Sequence, residues 1–240
     1  MAGSSSLISK VAIFADGADI EGIKVLAADS SIKGFTTNPT LMNQAGIQDY
    51  EAFSKQVIEV VGGLPLSLEV FTDDIDEMET QARKIASWGE GVFVKIPVTN
   101  TKGESTAALV ERLAGSGVQV NVTALFTVRQ VEVVADALSA DVPAFVSVFA
   151  GRIADAGQDP IPIMTEALDV LRPLPEARLI WASPRELLNI VQADQIGCDV
   201  ITVTHDLLKK LPSLGKDLDQ FSLETVKMFF DDGAAAGYRI

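Results

Sequence analysis

Cysteine and histidine are almost missing from these 240 residues. The one cysteine, Cys198 in IGCDV, has no partner for an internal disulfide, and with no CxxC pair the thiol set offers no zinc site. It reads as a small buried apolar residue ahead of a strand. The one histidine, His205, stands outside any HxxE, HxH or HExxH setting, so no metal is expected, and its place is the start of an eighth helix. Neither GxGxxG nor GxxxxGKS/T occurs, which removes support for a nucleotide cofactor; none is expected. Uninterrupted apolar runs stay short of the ~18 residues of a membrane span. Residues 1–9, MAGSSSLIS, have neither a basic n-region nor a long apolar h-region. The cytoplasm is the expected compartment, and a lone thiol fits it. Basic residues are scarce too, since 19 Lys and Arg against 33 Asp and Glu leave a formal charge of −14. So acidic a surface repels phosphate backbones and anionic lipid, so neither nucleic acid nor membrane is an expected partner. A small anionic ligand would need a local basic exception.

What the chain has is apolar content, 48% hydrophobic against 22% charged residues, which excludes global disorder. A folded monomer of this mass buries about 72% of the surface its unfolded chain exposes, ample for one large core. Short β-branched runs stand at 11–16, 34–38, 65–70, 92–98, 118–125, 144–150, 178–183 and 200–204. Amphipathic stretches separate them. In DIDEMETQARKIASW, for example, Ile75, Met78, Ala82, Ile85 and Ala86 follow i, i+3, i+4 spacing beside exposed carboxylates. Parallel strands need such crossovers, and near-continuous apolar strands imply burial on both faces. Eight β/α units of about 26 residues predict an α/β fold, a single (β/α)8 TIM barrel, with an open doubly wound sheet as the alternative. Residues 1–10 read as a short N-terminal extension and 11–240 as one barrel domain, since no linker or low-complexity block interrupts the alternation. The last part is an additional C-terminal helix with Phe221, Val226, Phe229 and Phe230 as apolar positions, which packs on its own barrel or on a neighbouring subunit.

A barrel draws its active-site residues from the C-terminal ends of its strands. Polar residues there are Asp16, Thr36, Thr37, Asn38, Glu69, Lys95, Asn121, Thr123, Ser147, Ser183, Thr202 and Thr204. Lys95 is the most diagnostic: in VFVKIPV, period-2 alternation puts Phe93, Lys95 and Pro97 on one face and Val94, Ile96 and Val98 on the other. Burial can lower a lysine pKa by about 3 to 5 units, and a neutral amine is the nucleophile that forms a Schiff base. The structural alternative is a lysine paired with a buried carboxylate. Asp16 and Glu69 could both face the same mouth, and two carboxylates leave one free for proton transfer. Asp16 could instead cap a helix beginning near Asp19, and Asn38, ahead of Pro39, could be a turn or cap residue. Asn121 and Thr123 share a face and bind substrate or a water, or else satisfy each other. Arg152 after the sixth strand, with Ser183 and Arg185 after the seventh, forms the basic exception, an anion site. Surface salt bridging with Asp155 or Glu186 is its alternative.

The strings FADGAD, GFTTNPTLM, LSLEV, FVKIPVT, VNVTALF, VSVFAGRI and ASPREL, spread over nearly the whole chain, resemble the transaldolase family, with its small members and the related fructose 6-phosphate aldolases. The resemblance implies a metal-free class I mechanism on an (α/β)8 barrel. By it, Lys95 is the Schiff-base lysine, Asp16 the acid/base near the C3–C4 bond of a ketose, and Glu69 the carboxylate working through a water that Thr123 positions. Asn38 and Asn121 bind the dihydroxyacetone unit, Ser147 and Phe149 line the site, and Arg152, Ser183 and Arg185 match the phosphate-binding positions. The substrates implied are sugar phosphates, and small members tend to form rings of subunits, so a homo-oligomer is expected.

Aldolase members of the family tend to carry glutamine at the Glu69 position and tyrosine at the Phe149 position, so both residues favour transaldolase here. The extra polar residues of PVTNTKGES, Lys102 included, and an eighth strand without proline depart from the family pattern. These loops border the mouth and leave acceptor specificity open. The alternatives are aldolase-type cleavage, transfer on another anionic sugar such as a sulfosugar, and a silent sugar-phosphate-binding barrel.

Overall fold

A computed structural model describes residues 8–240, so residues 1–7 of the expected N-terminal extension lie outside the described residues. Along the chain follow β1 (Ala12–Asp16), α1 (Ile20–Ala27), β2 (Ile32–Thr36), α2 (Pro39–Gln44), α3 (Tyr50–Val61), β3 (Leu66–Glu69), α4 (Ile75–Ala86) and β4 (Val92–Pro97). Then come α5 (Ala107–Gly115), β5 (Val120–Leu125), α6 (Val128–Ala137), β6 (Ala144–Val148), α7 (Ala150–Asp155) and α8 (Pro160–Leu171). The chain closes with β7 (Ala177–Trp181), α9 (Leu188–Ile196), β8 (Val200–Thr204), α10 (His205–Leu208) and α11 (Leu218–Ala235). The eight strands are parallel and close into a barrel in sequence order, with β8 pairing back onto β1. The fold is the expected (β/α)8 barrel with an additional C-terminal helix, not the open sheet.

Local chemistry explains the helix starts. The Asp19, Asp49, Asp74 and Asp159 side chains accept a backbone N–H from the first turns of α1, α3, α4 and α8. In α4 the spacing read from sequence holds, with Met78, Ala82 and Ile85 buried. Two connections hold two helices each, α2 with α3 and α7 with α8, so the one-helix-per-strand pattern is augmented after β2 and β6. The second strand lies two residues earlier than its apolar run predicts. Pro39 starts a helix at its first position and Asn38 caps it, so neither Thr37 nor Asn38 extends the strand.

Strand side chains divide by face. Leu66, Leu68, Val94, Ile96, Val120, Val122, Leu179 and Trp181 are fully buried in the main core shared with the helices. A separate inner cluster contains Phe14, Phe93, Phe145, Ile180 and Val200, with Phe14 edge-on to Phe145 at 5.4 Å and Phe93 4.3 Å from Phe145. This plug fills the barrel below the polar strand ends, as side-chain layers do in such barrels. The terminal α11 has no buried residue, and none of its side chains joins the core clusters. Among the described residues, no helix is long and apolar enough to cross a membrane.

Candidate active site

Lys95 stands on the inner face of β4, one inward position beyond Phe93, and is buried. Its Nζ donates to the Thr37 carbonyl at 2.9 Å and lies 3.1 Å from Glu69 Oε2. Glu69 closes β3 in register with Lys95, and the Tyr50 hydroxyl donates to its main-chain carbonyl at 2.9 Å. The pairing offered as the structural alternative for Lys95 is therefore present, but it uses only one of two carboxylates. Asp16, at the end of β1, accepts a hydrogen bond from Thr36 Oγ1 at 2.7 Å, and Thr36 in turn meets the Thr202 hydroxyl. It does not cap α1, a task that falls to Asp19. Burial pushes the Asp16 carboxyl above its usual range, against the pull of the Lys95 charge and the Thr36 hydrogen bond. One carboxylate thus holds the amine while the other has raised proton affinity, a division that suits acid/base work.

Asn121 neighbours Lys95 in register on β5. Its amide donates to Ser67 Oγ at 2.9 Å and accepts from Ser147 Oγ at 2.7 Å, so Asn121 and Thr123 do not satisfy each other. Thr123 Oγ1 is buried with no hydrogen-bond partner, a state that buried hydroxyls rarely hold without water or ligand. A register shift between β5 and β6, with Ala124 at a φ of 63°, turns both Thr123 and Ala124 to the cavity. Asn38 does both things expected of it: its side chain accepts from Leu41 N at 3.0 Å to cap α2, and it lines the same cavity.

That cavity, about 390 Å³, opens at the C-terminal end of the strands. Asp16, Lys95, Glu69, Thr123, Asn38, Asn121, Ser147, Phe149, Arg152 and Ser183 all line it. The Arg152 guanidinium sits 5.4 Å over the Phe149 ring, and Phe126 backs that ring at 5.8 Å. Ser183 lies beyond the end of β7 at a φ of 61°. Its carbonyl reaches so close to Gly151 that a Cβ there would stand 1.6 Å away. Arg185 is the residue not brought to the cavity. It pairs with Asp155, with Nε 3.0 Å from both carboxylate oxygens, and this hydrogen bonding holds the Asp155 carboxyl below its usual range. For Arg185 the salt-bridge alternative is the observed one.

The sequence reading passed over Ser67, Tyr50, Leu41 and Gln44. Ser67 had a signal, because it shares the period-2 inner face with Glu69 in LSLE. Tyr50 on α3, and the α2 residues Leu41 and Gln44 that line the cavity, had none, since only the packing of those helices over the mouth brings them there.

Fold and site together define a (β/α)8 barrel organised around one buried lysine flanked by carboxylates. The sequence profile of the family described as Transaldolase/Fructose-6-phosphate aldolase matches residues 13–239. A relative named "Probable transaldolase" from Dehalococcoides mccartyi is 36% identical over 200 residues, covering 83% of this chain and 89% of the relative. One of the same name from Streptococcus equi subsp. zooepidemicus is 30% identical over 223 residues, covering 92% and 97%. Among solved structures, a dihydrodipicolinate synthase family protein from Coccidioides immitis superposes with a TM-score of 0.62 at 10% identity, over 93% of this chain and 76% of that one; it shares the fold alone. The chain belongs to the transaldolase/fructose-6-phosphate aldolase family and is an enzyme of the transaldolase type.

Proposed function

We propose that this enzyme transfers a dihydroxyacetone unit from a ketose phosphate to an aldose acceptor through a Schiff base on Lys95. The observation that carries the reading is the buried Lys95 amine, 3.1 Å from Glu69, in a cavity that also holds Asp16 and the unpartnered Thr123 hydroxyl. Glu69 accepts a proton from the Lys95 ammonium, and the lone pair of the neutral amine so formed adds to the C2 carbonyl of the ketose. The carbinolamine loses its hydroxyl as water, with Glu69 supplying the proton through a water held by Thr123, and leaves an iminium. Asp16 takes the C4 hydroxyl proton, the C3–C4 electron pair moves into the iminium, and an aldose phosphate departs. The three-carbon enamine, held by Asn38 and Asn121, attacks the aldehyde of the acceptor while Asp16 returns the proton. Hydrolysis of the new iminium frees Lys95.

Arg152 and Ser183 supply the anion contacts, and an arriving phosphate would compete with Asp155 for Arg185. Glu69 and Phe149 support transfer over simple cleavage. The same reading includes a cytoplasmic homo-oligomer, with the uncovered apolar residues of α11 as its support. Borohydride reduction in the presence of fructose 6-phosphate should add the three-carbon unit or the whole sugar to Lys95, and Lys95→Met should take no label. Labelling of another lysine would sink the mechanism. Release of glyceraldehyde 3-phosphate that depends on an added aldose phosphate separates transfer from cleavage.

A further inference from the structure

Among the described residues, the buried side-chain atoms without a hydrogen-bond partner are Ser54 Oγ, Thr123 Oγ1, Trp181 Nε1 and His205 Nε2, and of these only Thr123 and His205 line a hollow together with Asp16. His205 is the only histidine, and it follows Thr204, which registers with Asp16 across the β8–β1 pair. Its ring lies against the loop that carries Asp16 into α1. A Cβ on Gly17, the residue after Asp16, would stand 2.8 Å from Nε2, and one on Gly22 in the first turn of α1 would stand 2.7 Å from Nδ1. Two glycines therefore leave a slot that the imidazole fills. A hollow of about 270 Å³ beside it is lined by both His205 and Asp16.

Charged groups facing the ring are Asp16 on β1, Asp19 ahead of α1, Asp206 on its own helix and Lys209 just past that helix. Those facing Asp16 are Lys95, Glu69 and His205. Burial, the leading influence, holds the imidazole below its usual value of 6.5, although Asp19 and Asp16 pull the other way. The ring is neutral at neutral pH, and neutral is the form that a partnerless Nε2 tolerates.

We propose that His205 is a positioning residue for Asp16, a wedge that holds the β1–α1 loop in its working form while neutral and releases it when protonated. This rests on the reading of Asp16 as the acid/base group at the C4 hydroxyl. A proton on the ring creates an imidazolium whose Nε2–H has no acceptor in the slot, so the ring leaves for solvent and the loop behind Asp16 loses its filler. While the charge remains near, it also makes Asp16 a weaker base. Both effects slow carbon–carbon cleavage as pH falls.

The test is steady-state turnover of fructose 6-phosphate with a saturating aldose phosphate acceptor by the full chain across the acid range. His205→Ala empties the slot and should lower kcat about tenfold with little change in KM, inside the ~10²-fold that a displacement of about 1 Å can cost. His205→Leu refills the slot without a titrating group. It should recover most of that loss and shift the acid limb of the kcat profile to lower pH. An alanine variant with wild-type kcat, or a leucine variant whose acid limb superimposes on the wild type, overturns the proposal. Should the alanine variant not fold, the leucine profile decides. Borohydride trapping on the same samples keeps the two readings apart. An unlabelled Lys95 in the wild type removes the reaction itself, whereas intact labelling with an unmoved acid limb removes only the role of His205.

Discussion

The role proposed for Asp16 sets stability against activity. Burial raises its proton affinity, so the folded chain binds the proton more tightly than the unfolded chain does. The protonated form therefore stabilises the fold at low pH, and that contribution is lost as pH rises from the usual value of 3.8 through the raised native one. Asp16→Asn keeps an oxygen for the Thr36 hydroxyl and removes the charge. It should melt at a higher temperature than the wild type at neutral pH, with the difference closing below the usual carboxylate value, while cleavage falls by about 10²- to 10⁴-fold. Thermal unfolding at a series of pH values, with turnover on the same samples, checks both parts. A variant less stable than wild type at neutral pH would show that the carboxylate strengthens the fold. Glu69 differs because the Lys95 amine is already beside it.

Elements set the precision of the proposed anion site. The first turn of α7 carries Gly151 and Arg152, and the loop after β7 carries Ser183. They meet where the Gly151 amide donates to the Ala182 carbonyl at 3.4 Å and the Ser183 carbonyl closes on the Gly151 Cα. Both contacting groups are backbone, so neither can swing aside. Gly151→Ala should therefore force the loop from α7, at a cost of about 1–3 kcal/mol, the usual range for overpacking. If Arg152 and Ser183 hold the phosphate, KM for a phosphorylated ketose should rise about tenfold while that for the unphosphorylated sugar rises less, since one charge-assisted contact is worth ~1.5–3 kcal/mol. Equal rises for both sugars would place the anion elsewhere.

At the scale of the whole molecule, the −14 charge does not extend to the cavity, where Lys95 and Arg152 match Asp16 and Glu69 in number. The acidic side chains of α1, α3 and α4 face outward, whereas Lys95 and Arg152 line the mouth, so the average charge turns away polyanions while the mouth admits a small anion. Among the described residues, exposed apolar side chains concentrate on α11, where Phe221, Val226, Phe229 and Phe230 all lie open to solvent. With 3.6 residues per turn, Gln220, Glu224, Lys227 and Asp231 gather on one side, whereas the apolar residues spread over the rest of the circumference, Phe221 and Phe230 half a turn apart and Asp219 and Asp232 among them. If a second copy covers the helix, Phe229→Asp with Phe230→Asp should lower the mass seen by sedimentation without unfolding the barrel. An unchanged mass would exclude α11 as the contact.

Much of this was written in the chain. Alternation of apolar runs with amphipathic stretches determined eight β/α units, because strands and helices have different hydrophobic periods, while the pairing of β8 with β1 decided for a closed barrel over an open sheet. Period 2 within VFVKIPV and VNVTAL also determined which side chains face inward, so Lys95, Asn121 and Thr123 were legible at their own positions. Tertiary structure decided the partnerships. That Asn121 spans Ser67 and Ser147, that Glu69 and not Asp16 lies against Lys95, and that Arg185 turns to Asp155 all depend on strand register and helix placement. The slot for His205 between Gly17 and Gly22 is of the same kind, because sequence spacing fixes which way a side chain points, while only the closed barrel fixes what it meets.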